Sequence, residues 1–179
     1  MRTIPVLTHY LEMNKEPTLD LEPPMEGVVF ERVKKISVEE YRSVYISVGN
    51  PYGWFDRVLM EDGELERILD DPGTEVYILK VLGEIAGYCE IDRREGEDVE
   101  ISFLALRKEF QGKHLGWYLL NRALGEAWKE NTVRVWLHTC EWDHKAAIPM
   151  YLKAGFRIYS RDYHDQKVPY DFDISMLDP

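Results

Sequence analysis

The segment VEISFLALRKEFQGKHLGWYLL, residues 99–120, carries the pattern that decides the fold. It opens with the β-forming run 99–106 and takes helical spacing from Leu115 onward. The turn between them, residues 111–116, contains Gly112 and Gly116. A glycine turn between a strand and a helix leaves backbone N–H groups exposed at the positive end of the helix dipole. The segment therefore predicts an anion-binding turn of the kind that holds phosphate groups.

Basic side chains gather around this turn, although the chain as a whole is acidic. The 179 residues carry a formal net charge of -11, which argues against a partner reached through clustered lysine and arginine, such as nucleic acid or an anionic membrane. Near the turn the sign reverses, and the basic residues there are Arg107, Lys108, Lys113, His114 and Arg122. This local charge favours an anionic ligand at the turn, whereas the acidic remainder favours a cationic partner.

The composition is that of a globular protein without a metal or disulfide signature. Hydrophobic residues make up 45% of the chain, and no stretch approaches the roughly 20 apolar residues of a membrane span. Met1 to Tyr10 lacks the build of a signal peptide, so we expect a cytoplasmic location. We interpret Cys89 and Cys140 as small buried residues. The histidines show no metal-ligand spacing, so we assign no metal.

Residues 1–27 are predicted to precede the compact domain. Residues 4–13 form a short extended piece in this interpretation, and residues 14–27 are a proline-rich, acidic connecting segment with little periodicity. The chain is therefore divided into an N-terminal extended segment with its linker, residues 1–27, and a single domain, residues 28–179.

Strand and helix patterns alternate through that domain. The strands are predicted at residues 28–33, 75–82, 85–92, 99–106, 132–138 and 156–163, with a final edge strand around Tyr170, Phe172 and Ile174. A capping box, Ser37 and Glu40, opens the first helix, and further helices are predicted at residues 63–70, 115–130 and 143–153. The expected fold is α/β, or α+β in stricter usage, with a mixed, mainly antiparallel sheet of six or seven strands and helices on both faces.

Two short motifs, at residues 111–116 and 144–156, carry a family resemblance. The first, QGKHLG, has Gln111 and Gly116 where a Gln/Arg-x-x-Gly-x-Gly/Ala signature requires them, and His114 where a glycine is commonest. The second, HKAAIPMYLKAGF, matches Asn-x-x-Ala-x-x-x-Tyr-x-x-x-Gly-Phe except that His144 replaces the asparagine. In both motifs and in their order, the sequence resembles the GNAT superfamily of N-acetyltransferases.

The resemblance implies acetyl-coenzyme A as the co-substrate. It implies that strands 99–106 and 132–138 splay apart around the thioester, that the first of them offers backbone groups to pantetheine, and that the amides of the turn hold the pyrophosphate. The residues expected to contact the cofactor are Leu104, Ala105, Leu106, Gln111, Gly112, Lys113, His114, Leu115, Gly116, Trp117, His144 and Tyr151. For Trp117, packing is the alternative role.

The resemblance also implies catalytic roles for two residues. Tyr151 aligns with the family's usual general acid, which protonates the leaving thiolate, and Glu100 lies where several members carry a carboxylate base. The alternatives are a packed aromatic residue for Tyr151 and a solvated acid for Glu100. His138 and His144 titrate in the range of a proton relay, with structural roles as their alternatives.

The acceptor side is expected near residues 53–57, GWFDR, between the first two helices. Trp54 and Phe55 together with Asp56 could hold a cation, and the alternative is a hydrophobic plug that ties the loop to the core. We expect a small-molecule or protein amine as the partner, and a homodimer is expected from the edge strands.

The predicted function is transfer of an acetyl group from acetyl-coenzyme A to a primary amine, by direct attack in a ternary complex. One alternative is a non-catalytic acyl-coenzyme A-binding module. Another is a phosphate-binding domain unrelated to acyl transfer.

Overall fold

The β-forming runs of the sequence assemble into one mixed sheet of seven strands. The computed structural model describes residues 1–129 and 131–177. Its strands are β1 (Arg2–Met13), β2 (Val28–Val33), β3 (Thr74–Val81), β4 (Glu84–Asp92), β5 (Asp98–Leu106), β6 (Arg134–Cys140) and β7 (Arg157–Val168). Their order is β2-β3-β4-β5-β6-β1-β7, and neighbours run antiparallel except for the parallel pair β5 and β6.

Helices cover both faces of the sheet, which confirms the predicted α+β fold. The helices are α1 (Val38–Gly49), α2 (Asp56–Leu59), α3 (Asp62–Leu69), α4 (Leu115–Ala127) and α5 (Ala147–Lys153). The capping box of α1 is confirmed, since Glu40 N–H donates to Ser37 Oγ at 3.2 Å and the Glu40 carboxylate accepts from Ser37 N–H at 2.9 Å. The predicted end of α4 at residue 130 lies outside the described residues.

Two apolar layers hold the helices on the sheet. On one face α4 and α5 bury the larger cluster, in which Leu115, Leu119 and Leu120 are fully inaccessible. On the other face α1 and α3 bury a smaller cluster that includes Tyr41 and Tyr45. Each such fully buried side chain contributes roughly 1.5–3 kcal/mol of transfer free energy. No helix within the described residues is long and apolar enough to cross a membrane.

The N-terminal strand β1 is an interior strand of the sheet. It pairs with β6 on one side and with β7 on the other. Residues 14–27 then cross the α4 side of the molecule to reach β2 at the opposite edge. There Leu19 packs against the larger cluster, and Asp20 N–H donates to Asn121 Oδ1 at 2.9 Å. Residues 2–13 therefore complete the same sheet as the rest of the chain.

The parallel pair β5 and β6 is joined only near its start. The paired residues are Asp98 with Arg134, Val99 with Val135, and Glu100 with Trp136. On the other side of β5, the register to β4 shifts so that Ser102 has no residue opposite it, which is a β-bulge. A bulge bends the strand that carries it. Beyond Glu100 the two strands diverge, and this divergence positions the site described below.

The prediction of a final edge strand near the C-terminus is wrong. Strand β7 continues to Val168, and Ile174–Met176 is a short 3-10 helix. The alternation in this segment reflects packing: Phe172 lies against Phe55, with ring centroids 5.1 Å apart, and against Trp142 at 5.6 Å. The aromatic side chain thus covers one end of the sheet without strand pairing.

The last helix is shorter than predicted. Residues 141–146 form turns, and α5 begins at Ala147. Pro149 is then the third helical residue, where a missing N–H removes no helical hydrogen bond. The amide of Met150 is the next to donate, to the carbonyl of Ala146 at 3.1 Å. The helix therefore tolerates its proline because it starts late.

Burial in β1 leads to a stability prediction. Leu11 is 0% exposed within the larger cluster, whereas Leu21 in the linker is 45% exposed. We expect Leu11→Ala to lower the free energy of unfolding by about 2–5 kcal/mol through lost transfer energy and a cavity. The matched control Leu21→Ala should change it by less than about 0.5 kcal/mol. Urea denaturation measures both, and equal losses would contradict an interior position for β1.

Candidate functional site

A cleft of about 320 Å³ opens where β5 and β6 diverge. Of the residues expected to contact the cofactor, those that line it are Leu104, Ala105, Leu106, Gln111, Gly112, His114, Gly116, Trp117, His144 and Tyr151. Leu115 is instead fully buried in the larger cluster, and Lys113 donates from Nζ to the carbonyl of Glu109 at 3.0 Å. The structure therefore brings ten of the twelve predicted residues to one cavity.

The glycine turn presents unpaired amides at the start of α4. Gly112 and His114 have positive φ angles of 72° and 60°, and a Cβ at Gly112 would meet nothing within 4 Å. The first amide that donates back into the helix is Tyr118 N–H, to the carbonyl of His114 at 3.2 Å. Within the described part of the chain, the N–H groups of residues 112–117 have no acceptor. Such a row of donors at a helix N-terminus matches an anionic ligand.

The positive charge near the turn is partly neutralised. Arg107 Nη2 lies 2.6 Å from Glu109 Oε1, and Arg122 stacks on Phe30 at 5.0 Å, outside the cleft. Lys153 is nearer to the cleft, because its Nζ lies 4.4 Å from the centroid of the Trp117 ring. The backbone amides, rather than a cluster of free basic side chains, are thus the main anion donors at the turn.

A hydrogen bond across the cleft ties the turn to the opposite wall. Gln111 Nε2 donates to the hydroxyl of Tyr52 at 2.7 Å, and the Tyr52 ring lies edge-on to His144 at 6.4 Å. Tyr52 was missed in the sequence, where the only signal was its place in the Asn50-Pro51-Tyr52-Gly53 turn. Gln111, the first residue of the QGKHLG motif, therefore also links the turn to Tyr52.

Asp143 organises the end of β6. Its Oδ2 accepts from Thr139 Oγ1 at 2.7 Å and from Cys140 N–H at 2.9 Å, and its Oδ1 accepts from Trp54 Nε1 at 2.9 Å. Burial and then the charge of Asp143 raise the pKa of Cys140 to about 12, so this thiol stays protonated at neutral pH. Asp143, which the sequence did not single out, thus holds Trp54 as a wall of the cleft.

Tyr151 lies on α5 with its side chain buried at the cleft. Burial, followed by the negative charge of Asp143, raises the pKa of Tyr151 above its ordinary value. The phenol therefore keeps its proton at neutral pH and can act as a donor but not as a base. Its ring also packs against Phe156, with centroids 6.0 Å apart.

Glu100 and His138 form a pair at the mouth of the cleft. His138 Nδ1 lies 3.2 Å from Glu100 Oε1, and His138 lines the cavity. Burial disfavours the charged ring, but the hydrogen bond and charge of Glu100 outweigh it and raise the pKa of His138 above its ordinary value. The pair leaves Nε2 of the ring for other partners, so the imidazole is the group of the two that is oriented for proton exchange.

The predicted acceptor residues Trp54, Phe55 and Asp56 do not converge on one point. Trp54 lines the cleft, Phe55 packs on Phe172, and Asp56 is exposed and accepts from Gln166 Nε2 at 3.0 Å. The loop therefore contributes Trp54 as one wall of the cleft and Phe55 as a hydrophobic plug, and its three predicted residues do not form a single cation site.

A family model described as Acetyltransferase (GNAT) family matches residues 31–156 of the chain. The chain belongs to the GNAT acetyltransferase family. The matched range contains the anion-binding turn and all of the second motif, which are the two elements that line the cofactor side of the cleft. Most of the GNAT sheet also falls inside it, whereas β1 and β7 lie outside.

Curated relatives of this GNAT chain are bacterial proteins named uncharacterised N-acetyltransferases. One from Lactobacillus delbrueckii subsp. lactis is 34% identical over 117 residues, which is 60% of this chain and 65% of the relative. One from Mycobacterium tuberculosis is 31% identical over 90 residues, which is 50% of this chain and 57% of the relative. The alignments thus span 65% and 57% of these relatives' own lengths.

Solved GNAT structures share the fold at low identity. A GCN5-related N-acetyltransferase from Sphaerobacter thermophilus superposes with a TM-score of 0.65 at 17% identity, over 92% of this chain and 53% of that one. An aminoglycoside acetyltransferase from an uncultured soil metagenomic sample gives a TM-score of 0.58 at 13% identity, over 82% of this chain and 96% of that one. At these identities the likeness establishes the architecture alone.

The turn geometry leads to a binding prediction. A Cβ at Gly116 would lie 3.7 Å from Leu106 and Met150, which line the same cavity. We expect Gly116→Asp to weaken coenzyme A binding by roughly 100-fold, because its carboxylate would oppose the diphosphate. Calorimetry with coenzyme A measures the affinity. The control is Gly63→Asp, which adds the same charge where nothing lies within 4 Å, and it should bind normally. Normal binding by a folded Gly116→Asp variant would contradict the assignment of the turn.

Proposed function

We propose that the chain transfers an acetyl group from acetyl-coenzyme A to a primary amine by direct attack in a ternary complex. In balanced form, an ammonium and acetyl-coenzyme A give the N-acetyl amide, free coenzyme A thiol and one proton. The supporting observation is that one cleft is lined by the turn with its row of free amides, by the protonated Tyr151 and by His138, which contacts Glu100.

The residues of the turn fit a coenzyme A diphosphate. Unpaired N–H groups at residues 112–117 offer the donors that a diphosphate needs, and Gly112 and Gly116 leave space for its approach. Beyond Glu100, β5 lacks a paired neighbour on the cleft side, so its backbone groups at Leu104 and Leu106 are available to the pantetheine amides. When bound, acetyl-coenzyme A supplies an activated thioester.

Removal of a proton from the amine falls to His138 in this proposal. An amine must lose its proton before it becomes nucleophilic. The contact of His138 Nδ1 with Glu100 Oε1 at 3.2 Å leaves Nε2 for the amine and stabilises the imidazolium formed when the ring takes the proton. Glu100 then acts as the residue that positions and polarises the base, which refines the earlier assignment of Glu100 as the base itself.

Proton donation to the leaving thiolate falls to Tyr151. A phenol whose pKa is raised by burial and by Asp143 remains protonated throughout the neutral range. Tyr151 lines the same cavity as His138. The proton donor and the proton acceptor are therefore both available to substrates bound in one cavity.

Thiol detection with a panel of amines tests the proposal. A catalyst releases free coenzyme A from acetyl-coenzyme A only when an accepting amine is present. A chain that merely binds acyl-coenzyme A would retain the cofactor and release no thiol with any amine, and that result would favour the non-catalytic alternative.

Loss of the Tyr151 hydroxyl should slow turnover without weakening the cofactor complex. We expect Tyr151→Phe to lower kcat by about 100-fold, since general acid catalysis contributes on this order, while coenzyme A affinity stays unchanged. The control is Tyr118→Phe, which removes another buried tyrosine hydroxyl, on α4. Steady-state kinetics and calorimetry measure the two quantities. A Tyr151→Phe variant with wild-type kcat would make Tyr151 a packing residue.

The pH profile tests the role of Glu100. Because Glu100 raises the pKa of His138, Glu100→Gln should lower that pKa, and the neutral base should then form at lower pH. We expect the ascending limb of kcat/KM against pH to move to lower pH, with a reduced plateau. Asp98→Asn, a change of equal charge on the same strand, should leave the limb in place. An unmoved limb in Glu100→Gln would rule out His138 as the titrating base.

A further inference from the structure

A row of aromatic rings lies beside the mouth of the cleft, on the sheet face that carries Glu100 and His138. Tyr10 lies opposite His138 in the register of β1 and β6, with ring centroids 6.0 Å apart. Tyr159 lies 6.2 Å from Tyr10, and Trp136 lies 6.3 Å from His138. We call these four residues, Tyr10, Trp136, His138 and Tyr159, the aromatic strip.

The aromatic strip is not part of the apolar core. Within the described residues, none of the three apolar clusters includes Tyr10, Trp136 or Tyr159, and Tyr159 is 42% exposed. On this face α1 contacts β4 and β5, and α3 contacts β3, whereas the segment around Phe172 covers only the far end. The three rings therefore lie outside the apolar core, and the Tyr159 ring presents accessible surface.

The strip is continuous with the cleft. His138 belongs to both, since it lines the cavity and contacts Tyr10 and Trp136. An acceptor whose amine lies at His138 and Glu100 would therefore place the rest of the molecule over the neighbouring rings. We call that remainder, the part of the acceptor that bears the amine, the carrier. The spacing of 6.0 Å between the His138 and Tyr10 centroids corresponds to a linker of a few bonds between the nitrogen and that group.

Charges at the distal end of the strip are already paired. Glu12 accepts from Arg134 Nε at 2.6 Å and from Arg157 Nη2 at 2.5 Å, so both of its oxygens are engaged. Arg134 also stacks on Trp136 and Tyr159, at 5.9 and 5.0 Å from their centroids. The Glu12 carboxylate at this end is thus not available to a second ammonium group, because both of its oxygens are paired. It favours an uncharged, flat carrier over an extended polycation.

We propose that the aromatic strip binds the carrier of the acceptor, and that the preferred acceptor is a small monoamine joined by a short linker to an aromatic ring. The proposal rests on the proposed acetyl transfer and names its substrate class. A ring in the ligand gains stacking or edge-to-face contacts with Tyr10 and Tyr159 that an alkyl chain does not gain. The single ammonium lies at Glu100 and His138.

Competing amines test this specificity. Phenethylamine, hexylamine and putrescine are compared as acceptors, with thiol release as the readout. We expect the KM for phenethylamine to be about 10-fold below that for hexylamine, from ring contacts alone. Putrescine should have the highest KM of the three. In Tyr10→Leu and Tyr159→Leu, the advantage of phenethylamine should fall to about 2-fold or less, while coenzyme A affinity stays at the wild-type value.

The matched control is Tyr163→Leu. Tyr163 is 67% exposed on the same strand as Tyr159 but pairs with Leu7 and lies outside the strip, so the advantage of phenethylamine should persist. Equal KM values for phenethylamine and hexylamine, a lower KM for putrescine, or an unchanged advantage in both strip variants would overturn the inference and leave acetyl transfer intact.

A binding measurement separates the two proposals. The affinity of each amine for the coenzyme A-loaded protein is measured by calorimetry. If no amine releases thiol, yet phenethylamine binds more tightly than hexylamine and Tyr10→Leu removes the difference, acetyl transfer fails and the strip stands. If neither difference appears, the strip fails as well.

Discussion

Backbone pairing between β5 and β6 stops after Glu100 and Trp136, and the candidate site exists because it stops there. Unpaired backbone groups are costly when they are sealed from water, so a sheet that parts in its interior must open to solvent or to a ligand. The bulge at Ser102 supports the parting, because it bends β5 away from the line of β6. The cleft is thus a consequence of strand geometry, and the glycine turn at the end of β5 adds the anion donors to it.

Two hydrogen bonds hold the separated walls of the cleft in fixed positions. Gln111 on the cofactor side donates to Tyr52, and Asp143 at the end of β6 accepts from Trp54. Both partners belong to the loop after α1, so this loop spans the opening and fixes its width. Such supporting contacts hold reacting groups in place without touching the reaction itself. They also explain why residues 53–57 serve two purposes, because Phe55 anchors the loop while Trp54 forms the wall.

Local chemistry could be predicted from the sequence, whereas long-range pairing could not. The turn at residues 111–116 and the capping box of α1 depend on a few neighbouring residues, and both are present as expected. The position of β1 depends on partners more than a hundred residues away, and a period-two pattern does not say which strands will flank it. The strand predicted from the alternation of Tyr170, Phe172 and Ile174 was wrong for the same reason. The packing of Phe172 on Phe55 is also a long-range contact, and the spacing of the aromatic residues does not distinguish it from a strand. Asp143 and Tyr10 acquire their roles only through that tertiary pairing.

The position of β1 in the sheet links the fold to the proposed choice of acceptor. Alternate residues of a strand face opposite sides of the sheet, so Leu11 enters the core beneath α4 while Tyr10 faces the mouth of the cleft. Across the β1–β7 register, a bulge leaves Tyr159 without an opposite residue and sets its ring beside Tyr10. A slip of one residue would bury Tyr10 and expose Leu11, which the core strongly opposes. The burial that holds β1 in the sheet therefore also fixes which side chains border the proposed acceptor site.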